Sequence, residues 1–401
     1  MYNIKYSYLC SRGHIIYYIM YSKNLIYFVT AFALGFGCTR PNTQQSIEVI
    51  EMGRVSTTPK QTELSLEELN LRIDVLPLET NDSCLLGKIT QLEDVDYLWI
   101  VSDRQLYQFD KQGSFIKMIG QRGQGPTEYV AVEHIQVDGQ KKQIYVLDYL
   151  GRKLLTYDYE GYCLRTWPLP EDYSLNRISL LQGQLYYTSY TNSVRPDLYA
   201  VNLSTGKMDT ISIHEREMGQ EAFAGITFVY SLHGKSHLYH YFNDTIYTIA
   251  QHQLTPAYLF KLGNNMFTYG QLTVTGDHQT AEPLSEPRIE ITNFLDLESL
   301  ILISYQVKTP RQKMGERDNR FALYDKQRQI MHTDILLTNP IEKMLGLASD
   351  DPVFASSDEH SFYTFKQAFD LTDKGLLENL NVEDNPVIVK FTFCGNKVPS
   401  L

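Results

Sequence analysis

Leu106-Tyr107-Gln108-Phe109-Asp110-Lys111-Gln112-Gly113 and Leu154-Leu155-Thr156-Tyr157-Asp158-Tyr159-Glu160-Gly161 are two copies of one pattern. An apolar residue is followed three places later by an aromatic or aliphatic one, then by Asp or Asn, and then by a turn that ends in Gly. Asp or Asn opens a tight turn by bonding its own backbone, and Gly supplies the positive φ that closes it. A third copy, Leu198/Val201/Asn202, runs on through Leu203-Ser204-Thr205 to Gly206. Ile246/Ile249 and Phe321/Tyr324/Asp325 repeat the apolar pair. A strand follows the turn, as in Ser114 to Ile119 and Tyr162 to Trp167. Another precedes each copy: Tyr97 to Val101, Gln143 to Leu147, Leu185 to Thr188, His237 to Tyr241 and Leu300 to Tyr305.

The second anchors Phe109, Tyr157, Val201 and Ile249 stand 48, 44 and 48 residues apart. A period in the forties with about four strands per unit is the signature of propeller blades. The step from Ile249 to Tyr324 is 75 residues, and Gly270 to Arg288 within it reads as an irregular loop. A last, degenerate unit has strands at Val353–Ala355 and Ser361–Thr364, and a closing strand at Asn385–Phe393. Between them Lys366 to Leu380 reads as a helical insertion with Phe369, Leu376, Leu377 and Leu380 on its apolar face. That makes six units. Leu71 to Leu78 (LRIDVLPL) is a strand without a local partner, and it is assigned to the last blade, where pairing of the two chain ends removes sheet edges. The expected fold is therefore all-β: a six-bladed β-propeller over residues 66–401, closed by an N-terminal strand, with one short helix in the final blade. Strands alternating with helices would argue for a parallel α/β sheet, and only one helical stretch is present.

Composition agrees. Of 401 residues, 29 are Tyr, a residue that favours pleated, half-buried surfaces. The formal net charge is −11; the first 37 residues hold Lys5, Arg12 and Lys23 and no acid, so the remainder stands at −14. Such acidity excludes nucleic acid as a partner, because phosphates demand a basic stripe. It also excludes electrostatic attachment to an anionic bilayer. The five cysteines, Cys10, Cys38, Cys84, Cys163 and Cys394, are far apart and form no CxxC pair, which argues against a disulfide framework.

Leu25 to Gly37 (LIYFVTAFALGFG) is an uncharged apolar run, too short for a bilayer, which takes about 20 residues. It has the length of a signal-peptide core, with Lys23 as its positive flank. Residues 1–37 are expected to be a leader, with Met20 the candidate true start. Gly37 directly before Cys38 resembles a bacterial lipobox, which implies lipidation of Cys38. Gly35 stands where that pattern prefers Leu, and a secretory signal cut nearby is the alternative. Residues 38–65, rich in Thr, Gln and Glu, read as a flexible tether.

Two strings are more specific. Leu76-Pro77-Leu78-Glu79-Thr80 and Ile119-Gly120-Gln121-Arg122-Gly123-Gln124-Gly125-Pro126-Thr127-Glu128-Tyr129 resemble a family of six-bladed β-propeller lipoproteins of Bacteroidetes, loosely similar to NHL-repeat propellers. The resemblance covers roughly Leu71 to Phe393. It implies fold and export, and it brings no catalytic residue. Cell-surface lipoproteins of such bacteria carry acids just after the lipidated Cys. Thr39-Arg40-Pro41-Asn42-Thr43 has none, so the periplasmic face of the outer membrane is expected.

The glycine-rich string is not a phosphate cradle: Pro126 stands where a Walker loop needs Lys-Ser/Thr. It reads as a loop between blades, shaped by Gly and Pro. Loops on rigid scaffolds often carry function, so Arg122, Glu128 and Tyr129 are the candidate ligand-binding residues. His233, His237 and His240 resemble a metal cluster, but alternation along a strand sends His237 and His240 to opposite faces. Asp350-Asp351 and Asp358-Glu359 do not match a calcium loop. No metal site, cofactor or catalytic constellation is assigned. Trp99, Trp167 and the Tyr-rich runs read chiefly as core, with stacking on sugars or peptides as the other use of any that are exposed. The expected function is a non-enzymatic binding or scaffolding propeller of the cell envelope, its partner a glycan, peptide or protein and its membrane contact a lipid anchor only. The alternative is a metal-dependent hydrolase or lyase acting on a glycan or small ester from the central channel.

Overall fold

The computed structural model describes residues 18–22, 25–29, 47–52, 62–169, 178–190, 196–212, 227–232, 235–240, 244–250, 253–262, 287–309, 317–338, 345–372, 377 and 380–394. The chain divides into two units, residues 1–46 and 47–401. In the first, Tyr18–Ser22 pairs antiparallel with Leu25–Val29. Cys38 lies outside the described residues.

The second unit is a six-bladed propeller. Blade 1 is Ile89–Val95, Tyr97–Ser102, Gln105–Phe109 and Phe115–Met118; blade 2 is His134–Asp138, Gln143–Asp148, Lys153–Asp158 and Cys163–Pro168. Blade 3 is Ile178–Leu181, Gln184–Tyr190, Pro196–Asn202 and Met208–Ser212. Thr227–Leu232, Lys235–His240, Thr245–Ala250 and Gln253–Lys261 form blade 4, and Arg288–Asp296, Leu300–Lys308, Asn319–Asp325 and Ile330–Thr338 form blade 5. Blade 6 is Phe354–Ala355, Ser361–Lys366, Val387–Phe393 and the N-terminal strand Leu71–Pro77.

The recurring apolar pair lies on the third strand of each of the first five blades. Leu106, Phe109, Leu154, Tyr157, Leu198, Ile246, Ile249, Phe321 and Tyr324 are all buried. The turn chemistry also holds. Asp110 Oδ1 accepts from Gln112 N at 2.9 Å and from Ser114 N at 2.8 Å, and Gly113 has φ +86°. The core is a set of layers between neighbouring blades. Trp99, Ile135 and Tyr157 pack between blades 1 and 2, and Phe294, Tyr305 and Phe260 between blades 4 and 5.

Ring closure follows the expected pairing. Val387–Phe393 runs antiparallel to Leu71–Pro77, with Phe393 opposite Leu71 and Val387 opposite Pro77. The Pro-Leu-Glu-Thr string lies at this seam. Glu79 Oε2 accepts from Phe115 N of blade 1 at 2.8 Å. Asn385 Nδ2 donates to Glu79 O at 2.7 Å and to Cys84 O at 2.6 Å, while its own N–H reaches Thr80 Oγ1 at 2.8 Å. One C-terminal amide thus holds the loop that leads into blade 1.

Two features differ from the sequence expectation. The stretch expected as a tether, residues 38–65, contains two strands. Glu48–Glu51 adds in parallel to the outer edge of blade 4, and Thr62–Ser65 adds in parallel to blade 5. Each buries an apolar residue, Ile50 and Leu64, among the inter-blade layers. Of the helix expected over Lys366 to Leu380, the described residues show Ala368–Thr372 as helix, while Lys366 belongs to a strand. Ala368 and Leu371, three apart, face the core, so Phe369 points outward and is 53% exposed. Leu377 and Leu380 do pack on the core; Leu376 lies outside the described residues.

Candidate functional site

The innermost strands of five blades converge on a central cavity of about 340 Å³. The side chains of the fourth blade's inner strand lie outside the described residues. Polar groups enter the cavity from Glu93, Asp94, His134, Gln136 and Asn293, and Leu180, Phe294 and Phe354 supply apolar wall.

Strand alternation explains the polar set. On Ile89–Val95 the side chains of Gln91 and Glu93 share one face. Gln91 Oε1 accepts from Ile135 N and its Nε2 donates to Ile135 O, both at 2.8 Å. The second proton of that amide serves Glu93 Oε1 at 3.1 Å. Gln136 Nε2 reaches Glu93 Oε2 at 3.3 Å, while its Oε1 accepts from Leu180 N at 3.3 Å. His134 Nδ1 accepts from Ile178 N at 3.4 Å, which leaves its ring proton on Nε2. Asn293 Nδ2 donates to Val353 O at 3.3 Å, and Ser356 Oγ to Asp94 Oδ2 at 2.9 Å. These bonds form a girdle in which a polar side chain of one inner strand clasps the inner strand of the next blade.

Glu93 is the chemically distinct member. Burial lifts its carboxyl from the usual 4.5 to about 8, and the hydrogen bond from Gln91, which pulls the other way, does not offset it. At neutral pH Glu93 is mostly protonated and can donate a hydrogen bond to a ligand oxygen. Asp94, on the opposite face of the same strand, is already engaged by Lys111, Tyr363 and Ser356. Among the described residues no group of three His, Cys, Asp or Glu side chains is placed to hold a metal ion.

The sequence profile of a domain of unknown function, DUF4934, matches residues 47–392. The chain belongs to the DUF4934 family. This DUF4934 chain is also similar to a Bacteroides fragilis protein, BF0058, named as exported: 20% identity, TM-score 0.65, 86% of this chain and 99% of that one. A member of the DUF4221 family from Bacteroides vulgatus is 10% identical with TM-score 0.49, covering 81% and 98%. Virginiamycin B lyase from Staphylococcus aureus is 10% identical with TM-score 0.41, covering 80% and 99%. At these identities the likeness is one of fold. No curated protein matches the chain.

The glycine-rich string of the DUF4934 chain links blade 1 to blade 2. Glu128 turns inward: its Oε2 accepts from Gly125 N at 2.8 Å and lies where a Cβ on Gly123 would be. Tyr129 is buried, donates to Ile119 O at 3.1 Å and packs edge-on against Tyr157. Gly120, at φ +70°, lets both rings approach, since a Cβ there would lie 2.8 Å from each. Blade 2 pins the loop through Lys153 Nζ to Gly125 O and Tyr157 OH to Thr127 O, both at 2.7 Å. Of the three candidates, Arg122 alone faces open space, lining a separate cleft. Trp99 is core, and the Arg165 guanidinium covers Trp167 at 3.4 Å. His237 is buried beside Phe294, with Nε2 3.9 Å from Asp296; His233 and the side chain of His240 lie outside the described residues.

Sequence reasoning did not single out Glu93, Gln136 or His134. A signal was available: polar residues at alternate positions on inner strands one blade apart, with bonded partners 44 residues away.

Proposed function

We propose that this protein is a binding propeller of the bacterial cell envelope that seats a neutral, polar part of its ligand against Glu93 and Gln136 in the central cavity. One observation carries the reading: the half-buried Glu93 carboxyl, pushed up to about 8, and the Gln136 amide lie side by side in a cavity of about 340 Å³. That volume is within the range of small-molecule sites, roughly 300–1,000 Å³. A protonated carboxyl and a primary amide both donate and accept, which suits hydroxyl and amide groups. Glycan and peptide ends carry such groups. The propeller supports the reading as a rigid scaffold, and the girdle bonds hold these groups in place.

The chain reaches this compartment, in our reading, through the leader and Cys38. Its anchor is a lipid, and it stands on the periplasmic face of the outer membrane. The export named for the Bacteroides fragilis relative agrees with that course. Metabolic labelling with a palmitate analogue is expected to mark the wild-type chain and not Cys38→Ser; equal labelling would remove the anchor from the proposal.

The binding test is calorimetry with a panel of neutral oligosaccharides and short peptides. A bound ligand is expected to lose affinity in Glu93→Ala and, for wild type, as pH rises past 8. Enzyme-like turnover of any panel member would overturn the non-enzymatic reading. A ligand indifferent to Glu93→Ala would overturn the cavity as its site.

A further inference from the structure

On the face where the chain passes from blade to blade, a cleft of about 600 Å³ opens between blades 1 and 2. Lys88, Arg104 and Arg122 line it, together with Thr90, Asp103 and Glu133. Thr90 also lines the central cavity, so the cleft lies beside the channel mouth. The three cations come from three separate segments: the loop into blade 1, the turn between its second and third strands, and the inter-blade loop. They gather on a chain whose net charge is −11. Among the described residues none of the three is ion-paired. Arg122 Nε donates to Val130 O at 3.3 Å, which leaves its two terminal nitrogens for the cleft. Asp103 turns one oxygen to the main chain, accepting from Lys88 N at 3.1 Å.

Arg104 occupies a position that disfavours it. Asp103 and Arg104 have φ +47° and +63°. A two-residue hairpin turn of this kind takes Asn and Gly most readily, and a long side chain there is strained. The bond the residue makes for the fold, Val132 N to Arg104 O at 2.9 Å, is a backbone bond that any residue would supply. What Arg supplies and Gly would not is the guanidinium at the cleft.

We propose that this cleft is an oxyanion-binding site, in which Arg104, Arg122 and Lys88 hold a carboxylate, sulfate or phosphate at the channel mouth. Guanidinium groups meet such oxygens with paired, charge-assisted hydrogen bonds, and the ammonium adds a point charge. A ligand with an anionic end and a neutral body would span both sites. The proposal does not need the cavity to be occupied.

The test is calorimetric titration of the leaderless propeller with inorganic phosphate, sulfate and acetate at fixed ionic strength. Saturable binding of one anion per chain is expected. It weakens as chloride replaces inert buffer ions. Arg104→Gly is expected to bind about tenfold or more weakly, with a thermal midpoint equal to or above wild type because the turn is relieved. Lys88→Ala loses affinity in the same direction, and Lys207→Ala, which removes an equal charge from blade 3, leaves it unchanged. Binding of phosphate and sulfate without acetate assigns a tetrahedral oxyanion; acetate alone assigns a carboxylate; either supports the site. No saturable binding, or wild-type affinity in both Arg104→Gly and Lys88→Ala, overturns it. Failure here leaves the cavity reading standing, because that reading concerns a neutral ligand group and these titrants are anions.

Discussion

Replacing Glu93 by Gln is the most direct probe of the cavity. Gln has the shape of a protonated Glu and stays neutral at every pH. In the folded protein burial holds the Glu93 carboxyl near 8 against 4.5 ordinarily. Between those values the unfolded chain has released this proton and the folded chain still holds it. Unfolding then releases a proton, so stability falls as pH rises, by up to about 1.4 kcal/mol per pH unit. One side of the carboxyl meets the cavity and its water, which softens the effect. From pH 5 to 8 we expect a loss of roughly 2 kcal/mol attributable to Glu93. Urea unfolding of wild type and Glu93→Gln at half-unit pH steps measures it, since every other titrating group is common to both. The difference in unfolding free energy should drift by about that amount, wild type losing ground as pH rises. Parallel curves, within about 0.5 kcal/mol across the range, would refute the protonated carboxyl and with it the donor role proposed for the site.

Three further substitutions test the scaffold. Gly120→Ala places a Cβ 2.8 Å from the rings of Tyr129 and Tyr157 at φ +70°; a cost of about 2–4 kcal/mol is expected, read as a lowered urea midpoint. Asp148 is buried and accepts from Val130, Ala131 and Gly151 N–H groups at 2.8, 3.1 and 2.8 Å. Asp148→Ala strands those donors at about 3–5 kcal/mol, and Asp148→Asn, which keeps one oxygen, should recover about half by the same measurement. Phe391 stacks on Phe362 with centroids 4.8 Å apart, in the pair that backs the ring-closing strand. Phe391→Ala should cost about 3–5 kcal/mol and lower the melting temperature seen by calorimetry.

How much of this was legible beforehand depends on range. The third strands announced themselves because their anchors and turns are local: Asp110 and Gly113 act within one turn of chain. Leu71–Pro77 could be placed because a strand without a neighbour in a ring has one natural partner. Glu48–Glu51 and Thr62–Ser65 could not. They are short and mostly polar, and their partners lie far along the chain, as with Glu51 and Lys261, 210 residues apart. The expected helix is present in the final blade, but its start was misplaced, because apolar spacing over Lys366 to Leu380 does not say where a helix begins. Arg122 was found through its loop, but Lys88 and Arg104 reach the cleft only in three dimensions. Glu93 was hidden for a simpler reason. A polar residue on an alternating strand reads as facing solvent, and in a propeller the inner strand's polar face can look into the ring instead.

The shared blades also set an order of assembly. Blades 1, 2 and 3 consist of consecutive strands, so each can form as soon as its own residues are available. Blades 4 and 5 also have four consecutive strands, each with a fifth, made before Leu78, added to it, whereas blade 6 has three strands of its own and needs Leu71–Pro77 from the other end of the chain as its fourth. Contacts of such long sequence separation form slowly and leave strand edges exposed meanwhile. The seam at Asn385 and Glu79 joins residues 306 apart. A chain that stops short of Val387 can finish five blades and still leave the ring open. Completion of the last strand therefore acts as a check on the whole polypeptide, and truncated products carry unpaired edges for proteolysis to find.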